Sequence, residues 1–482
     1  MSRNTLLWHD YETWGADPRR DRAAQFAALR TDEDLREVGA PLMLFCRPSR
    51  DFLPHPRAAM VTGLTPQRAE AEGLPEAEFF GRVHAELGRA GTCGVGYNSI
   101  RFDDEVTRFG LYRNFLPPYD REWRLGNSRW DLIDLARMTR ALRPEGLVWP
   151  ERAPGVTSFR LTDLTEANDI PHLGAHDALA DVRATLGLAR RIREAQPKLY
   201  AWHYKMRRKD EVKRWLRPRF GQVVLHVSGM FPSEQGHLAP VLPLMLRPGM
   251  NNEVVAIDLR VDPGPLLALG PEALAANLYA RRSALPEGVA RVGIKTIHLN
   301  KSPALAPTET LTPALAERWG IDLDQAQAHR AAVLSSLDLP DRLAALYALP
   351  REEEADPDPD EALYDGFITD QDAELCREVR ERSPDGLWDW TPALSDPRLQ
   401  RLFRRYRARS WPERLAPEEA AGWERFCRAR REEGGLRGAL TRTAFQAEIA
   451  AIRAEGVGDS DEEVLRALEA WAEEPPAGGA AG

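Results

Sequence analysis

Short apolar runs alternate with helical stretches over the first 190 residues of the chain. Thr5–His9, Pro41–Cys46 and Thr92–Asn98 have the length and apolar character of strands and are separated by helical patterns. Strands interleaved with helices predict an α/β domain around one sheet, over residues 5–193. From Ala178 to Ile192 the periodicity becomes helical: Leu179, Val182, Leu186 and Ala189 share one stripe, and Asp177 stands at the N-cap position. From 197 to 350 the texture changes. Gln222–Val227, Glu253–Leu259 and Val292–Leu299 read as strands separated by Pro/Gly-rich turns, which predicts a β-containing domain with helical insertions. Arg351–Asp360 is acidic and Pro-containing and reads as a linker. The segments beyond it, to residue 475, are rich in Arg, Glu, Ala and Leu and predict helices. The Pro/Gly/Ala tail 476–482 predicts disorder.

At 482 residues, the chain is too long for a single core, and two or three domains follow. No run of eighteen apolar residues occurs, so no membrane span is expected, and no secretory signal is visible at the N-terminus. Cys46, Cys93, Cys376 and Cys427 are far apart and form no paired motif, which fits a reducing cytoplasm. The net charge of −9 argues weakly against a nucleic-acid partner, but its distribution is uneven. Arg191–Arg219 holds eleven Lys/Arg against three Asp/Glu. Such a strip can track a phosphate backbone or form a solvated helix face.

Candidate chemistry lies in three acidic motifs. Asp10 and Glu12 end the first strand two residues apart, so the period-two pleat puts both carboxylates on one sheet face. They repel unless a cation lies between them, and an all-oxygen donor set favours Mg²⁺ or Mn²⁺. Asp103 falls in the first turn of a helix that follows the third strand. Asp181 sits one turn inside the helix that Asp177 caps, with His176 just before it. Each motif alone has a bland reading: a solvated strand end, acids complementing a helix dipole, a surface histidine. Imidazole is nevertheless the side chain best suited to accept a proton near neutral pH.

Together, Asp10, Glu12, Asp103 and Asp181, with His176 five residues before the last, resemble the DEDDh exonuclease superfamily, whose fold is ribonuclease H-like. The resemblance extends to bacterial exonuclease I through HDYETWG (His9–Gly15), RFDDEVTR (Arg101–Arg108), NSRWDL (Asn127–Leu132), ALRPEG (Ala141–Gly146), SFRL (Ser158–Leu161), HDALADV (His176–Val182), HVSGMF (His226–Phe231) and Leu363–Phe367. It implies an SH3-like middle domain and an all-helical C-terminal domain. The implied activity is processive 3′→5′ hydrolysis of single-stranded DNA to 5′-mononucleotides, in DNA repair. Two divalent ions, Mg²⁺ with Mn²⁺ as a substitute, would sit roughly 4 Å apart across the scissile phosphate. The four carboxylates would hold them, Glu12 would also touch the terminal 3′ hydroxyl, and His176 would deprotonate the water.

The stretch after Asp103 supplies cations and aromatics suited to a single strand: Arg108, Arg113, Tyr119, Trp123, Arg129 and Arg137, with Arg160 further on. On residues alone, core packing of the aromatics and surface pairing of the arginines remain open. The resemblance marks Arg108, Tyr119, Trp123, Arg137, Arg160, Lys209 and Lys295 as strand contacts. It also implies binding to the acidic C-terminal tail of single-strand DNA-binding protein, through the Arg191–Arg219 surface or Arg143. A monomer is the default expectation. The competing readings are a DEDDh exoribonuclease and a non-catalytic single-strand-binding scaffold.

Overall fold

The computed structural model of the chain describes residues 4–172, 174, 177–287, 289–350, 358–434 and 439–474. The acidic residues 351–357 of the expected linker, the tail and His176 lie outside them. The chain divides into two compact units. The first comprises residues up to Ser128, His172–Arg183 and the described residues from 358 onward; the second comprises Arg129–Pro171 and the stretch from Ala184 to residue 350.

In the first unit, β1 (Thr5–Thr13) is buried along nearly its whole length, because it has a neighbour on each edge. It pairs antiparallel with β2 (Ala23–Thr31) and parallel with β4 (Thr92–Gly96). β3 (Leu42–Phe45) adds to the far edge of β2, giving the order β3-β2-β1-β4. On one face, Leu7 and Tyr11 pack with Phe26, Phe79, Phe80 and Val83. The two neighbouring phenylalanines come from the helix Glu76–Leu87. On the other face, the buried Trp8 indole donates to the Thr31 hydroxyl at 2.9 Å, so its one polar atom is satisfied. The helix Asp103–Arg113 can approach the Glu76–Leu87 helix because residue 110 is glycine. A Cβ there would lie 2.0 Å from the Phe80 ring.

The C-terminal helices belong to the same unit as this sheet. Phe445, Ile449 and Ile452 of the helix Arg442–Glu455, with Leu465 and Leu468 of the helix Asp459–Glu473, share a core with Trp14, Phe45 and Leu53. A buried ion cluster fastens the segment after the linker. Arg409 reaches Asp51 at 2.6 Å and Asp360 at 2.8 Å, Arg430 reaches Asp51 at 2.7 Å, and Arg22 reaches Asp360 at 3.1 Å. Burial alone would raise the Asp51 carboxyl, yet Arg409, Arg430 and Arg22 hold it far below the ordinary carboxylate range. Removing one member of such a cluster leaves an uncompensated buried charge, at a cost of about 3–5 kcal/mol.

β5 (Ser128–Asp131) begins at the last residue of the first unit's leading segment and runs into the helix Leu132–Leu142 of the second unit. A small hairpin follows, β6 (Glu151–Ala153) with β7 (Val156–Thr157). The rest of the second unit carries a five-stranded antiparallel sheet. Its strands are β8 (Val224–Val227), β9 (Leu238–Leu246), β10 (Glu253–Asp258), β11 (Ile294–His298) and β12 (Ala304–Ala306), in the order β11-β10-β9-β8-β12. β9 is central although it contains Pro240 and Pro243, which the sequence pattern places in turns. Pro243 pairs opposite Ala256 where the β9–β10 register shifts, and a bulge there tolerates a residue that cannot donate to the ladder. Among the described residues, no helix is long and apolar enough to cross a membrane.

Candidate active site

The pleat of β1 does what its sequence spacing implies. Asp10 and Glu12 share a face, and Tyr11 between them points to the opposite one, where its hydroxyl meets the Thr107 hydroxyl at 3.0 Å. Register sets Glu12 opposite Gln25 on β2. The Gln25 side-chain oxygen accepts from the Ala178 amide at 3.3 Å, at the start of the helix Ala178–Ala195. The Asp177 carboxylate caps that helix, accepting from the Leu179 and Ala180 amides at 3.2 Å each. The first turn of a helix so anchored carries Asp181 toward the sheet. One carboxylate oxygen from each of Asp10, Glu12 and Asp181 lies within 4.8 Å of the others.

Asp103 occupies a different place in the arrangement. It is 3% exposed, opens the helix Asp103–Arg113, and its Oδ1 accepts from the Tyr11 amide at 3.1 Å. That bond ties the helix to the strand between the two β1 carboxylates. Asp103 acts on both electrostatically.

Burial and mutual repulsion make this cage costly to ionise. The Asp10 carboxyl is pushed well above its ordinary value by desolvation, then by Asp103, Glu12 and Asp181. Glu12, 8% exposed, is raised to about 8 by desolvation, then by Asp181, Asp103 and Asp177. Convergent carboxylates, two of them (Asp10 and Glu12) held protonated by their surroundings, and oxygen-only donors fit a divalent cation, whose charge would reverse the repulsion.

His176 lies outside the described residues. A histidine that the sequence reading passed over, His172, contacts Asp181 through Nε2 to Oδ1. The available signal was its position, nine residues before that aspartate, in a segment already known to carry a histidine.

Arg108, read as a strand contact, is buried and held by carboxylates. It bonds Glu122 at 2.7 and 2.9 Å and Glu105 at 2.6 Å, and lies 5.5 Å over the Tyr119 ring. Tyr364, from the Leu363–Phe367 motif, joins this group, donating to Glu105 at 2.6 Å and meeting Arg108 at 3.1 Å. Arg113 is likewise buried, on Glu76 at 3.0 Å. Trp123, by contrast, is 66% exposed, and Phe367 is 100% exposed. Both are large apolar rings in contact with solvent, and sequence reasoning singled out only the first.

The remaining expected contacts lie in the second unit. Arg137 pairs with Asp134 at 2.9 Å, and its guanidinium lies against Gly229, where a Cβ would come within 3.0 Å of it. Arg129 donates to the Asn300 carbonyl at 3.0 Å. Arg160 is exposed at the head of the helix Leu161–Ala167. Lys209 opens the helix Lys209–Leu216, and its ammonium pKa is lowered by desolvation, then by Lys213. Lys295, on β11, lies 5.2 Å over the Phe231 ring and is also lowered by desolvation. Arg143 donates to the Thr310 carbonyl at 2.8 Å.

Three family descriptions match the chain: Exonuclease over residues 7–189, Exonuclease I SH3-like domain over 207–349, and Exonuclease I C-terminal domain over 357–475. Exodeoxyribonuclease I of Haemophilus influenzae is 40% identical over 429 residues, covering 89% of this chain and 91% of its own. The Escherichia coli protein of the same name is 40% identical over 426 residues, covering 87% and 88%. Among solved structures, a moderately thermophilic exonuclease I from Methylocaldum szegediense superposes with a TM-score of 0.92 at 47% identity, covering 97% of this chain and 99% of its own. E. coli exonuclease I in complex with a dA16 oligonucleotide gives 0.89 at 37% identity, covering 98% and 99%. A zinc-bound E. coli complex with single-stranded DNA gives 0.90 at 37%, with the same coverage.

Proposed function

The chain belongs to the exonuclease I family, and from that premise we propose that it hydrolyses single-stranded DNA from the 3′ end, releasing 5′-mononucleotides processively in DNA repair. The observation that carries this reading is the convergence of Asp10, Glu12 and Asp181, with Asp103 bonded between the first two. Two Mg²⁺ ions, replaceable by Mn²⁺, are the cofactor this donor set fits. They would be held by Asp10, Glu12, Asp181 and Asp103. When bound, they supply positive charge to the phosphate and acidify water.

The chain's own groups do the rest. His176 takes a proton from the attacking water. The water oxygen bonds to phosphorus and the P–O3′ bond breaks; the departing 3′ oxygen takes up a proton from solvent to become the 3′ hydroxyl of the shortened strand, and the released nucleotide keeps a 5′-monophosphate. Glu12 also receives the terminal 3′ hydroxyl, which sets the polarity of digestion. Trp123 and Phe367 offer exposed rings to unpaired bases, with Tyr119 four residues before Trp123 in sequence. Arg137, Arg160, Lys209 and Lys295 supply cations for the backbone. Arg108, neutralised by Glu122 and Glu105, serves by holding Tyr119 and Tyr364 in place. The protein is proposed to work as a cytoplasmic monomer.

Labelled single-stranded DNA, duplex DNA and RNA of one sequence test this directly. With Mg²⁺ the single DNA strand is expected to shorten from its 3′ end to mononucleotides, and excess unlabelled DNA added after binding is expected not to stop it. Chelator is expected to abolish product. Preferential digestion of RNA would assign the exoribonuclease reading, and tight binding without Mg²⁺-dependent product would assign the scaffold.

The acidic tail of single-strand DNA-binding protein is the proposed protein partner. Arg219, at the end of the basic stretch, lines a cleft of about 320 Å³ with Arg330, Gln222 and Gln327 around Val223 and Pro307. The lining is largely polar and also holds Glu309; its two guanidinium groups are the feature that suits a peptide with clustered carboxylates. Titration with an acidic tail peptide at low salt is expected to show binding that weakens with salt and with Arg219→Ala. Absence of binding at low salt rejects this partner.

A further inference from the structure

One side chain that touches the cage has no part in the reaction as derived so far. The His172 side chain is 6% exposed, and its Nε2 bonds Asp181 Oδ1. An imidazole buried against a carboxylate constrains it. With one oxygen engaged by an N–H, rotation about the Cβ–Cγ bond is restricted, and the second oxygen is turned by the same bond. The contact sits on the one cage member that comes from neither β1 nor the Asp103 helix, and whose helix therefore needs separate alignment.

The chain leading to His172 is itself fixed. The Ile170 amide donates to the Thr165 carbonyl at 2.9 Å, closing the end of the helix Leu161–Ala167. Residue 187 of the Asp181 helix is glycine, and a Cβ there would lie 2.6 Å from Ile170 Cγ2. Pro171 then removes one backbone freedom immediately before His172. His172 thus leaves an anchored turn against the same helix that carries its partner.

We propose that His172 is a positioning residue of the cation site: it holds the Asp181 carboxylate in the orientation that completes the cage with Asp10 and Glu12. The inference rests on the cation-binding reading above and adds a role to a residue outside the four carboxylates and His176. Groups that orient metal-binding carboxylates and imidazoles from behind typically contribute 10–100-fold to metal affinity.

Calorimetric titration of Mn²⁺ into the full-length, chelator-treated protein tests it. His172→Ala is expected to weaken Mn²⁺ binding about 10–100-fold. His172→Gln, whose amide can donate in the same place, is expected to recover most of that affinity, which separates loss of the bond from loss of fold. At saturating Mn²⁺ the kcat of both variants is expected to stay within a few-fold of wild type, and their DNA affinity in chelator is expected to be unchanged. Unaltered Mn²⁺ affinity in His172→Ala overturns the proposal, as does a large fall in kcat at saturating Mn²⁺ with affinity intact. If the wild-type protein binds no Mn²⁺, the cage reading itself fails and the role of His172 goes with it.

Discussion

Replacing Asp10 with asparagine is expected to lower kcat by about 10⁴–10⁶-fold, the range for removing one member of a catalytic unit, while single-stranded DNA is still bound in chelator. The amide keeps the volume and one oxygen but loses the charge that three neighbours are arranged to share with a cation. The same variant carries a stability signature. Glu12 is raised to about 8 in the folded protein, and Asp10 well above its ordinary range. Between the ordinary glutamate value of about 4.5 and about 8, the folded cage therefore holds protons that the unfolded chain has released. The folded state binds more protons in that window, so stability falls as pH rises through it and stops falling once the folded groups ionise. Asp10→Asn relieves this cost. Without metal, its melting temperature is expected to exceed wild type at pH 8 and to converge with it near pH 4. With Mg²⁺ present the order is expected to reverse, because the wild-type cage gains a ligand that the variant binds poorly. A variant that retains turnover removes Asp10 from the cage. One that loses turnover without the pH-dependent gain in stability shows that the charges are not crowded as the geometry places them.

The cage was legible because each of its parts is local. Two carboxylates at spacing two on a strand, an acid in the first turn of a helix and an acid one turn after an Asp cap are patterns that backbone geometry alone interprets. The elements that escaped reading are those whose context is tertiary. β2, Ala23–Thr31, is buried almost throughout, so it shows no alternation, and its alanines carry helical propensity that the sheet overrides. β9 hides behind two prolines that a register shift accommodates. The pairing of the cations was not legible for a related reason. Arg108 and Arg113 look like phosphate-binding cations in sequence, and Glu122, Glu105 and Glu76 engage them across 14, 3 and 37 residues. Trp123 and Phe367 are both exposed aromatics, but only one stands beside the carboxylate motif in the chain. His172 and Asp181 are nine residues apart in sequence, and no local periodicity marks the contact between them.

His176→Ala is expected to cost about 10²–10⁴-fold in kcat, the contribution of a positioned general base. In sequence, His176 stands five residues before Asp181 and immediately ahead of the Asp177 cap. Its loss removes a proton acceptor but none of the oxygens that gather around the cation. Mn²⁺ affinity is therefore expected to stay near wild type, and the defect is expected to shrink as pH rises and hydroxide replaces the base. His172→Ala is expected to do the opposite, shifting affinity and sparing kcat. The two histidines lie four residues apart, so a general disturbance of the loop would make both variants alike in both measurements. Opposite patterns, one in turnover and one in metal affinity, can arise only if one histidine handles the proton and the other holds the carboxylate. A near-normal rate for His176→Ala at neutral pH, with saturating Mg²⁺, would leave the water to be deprotonated by another group.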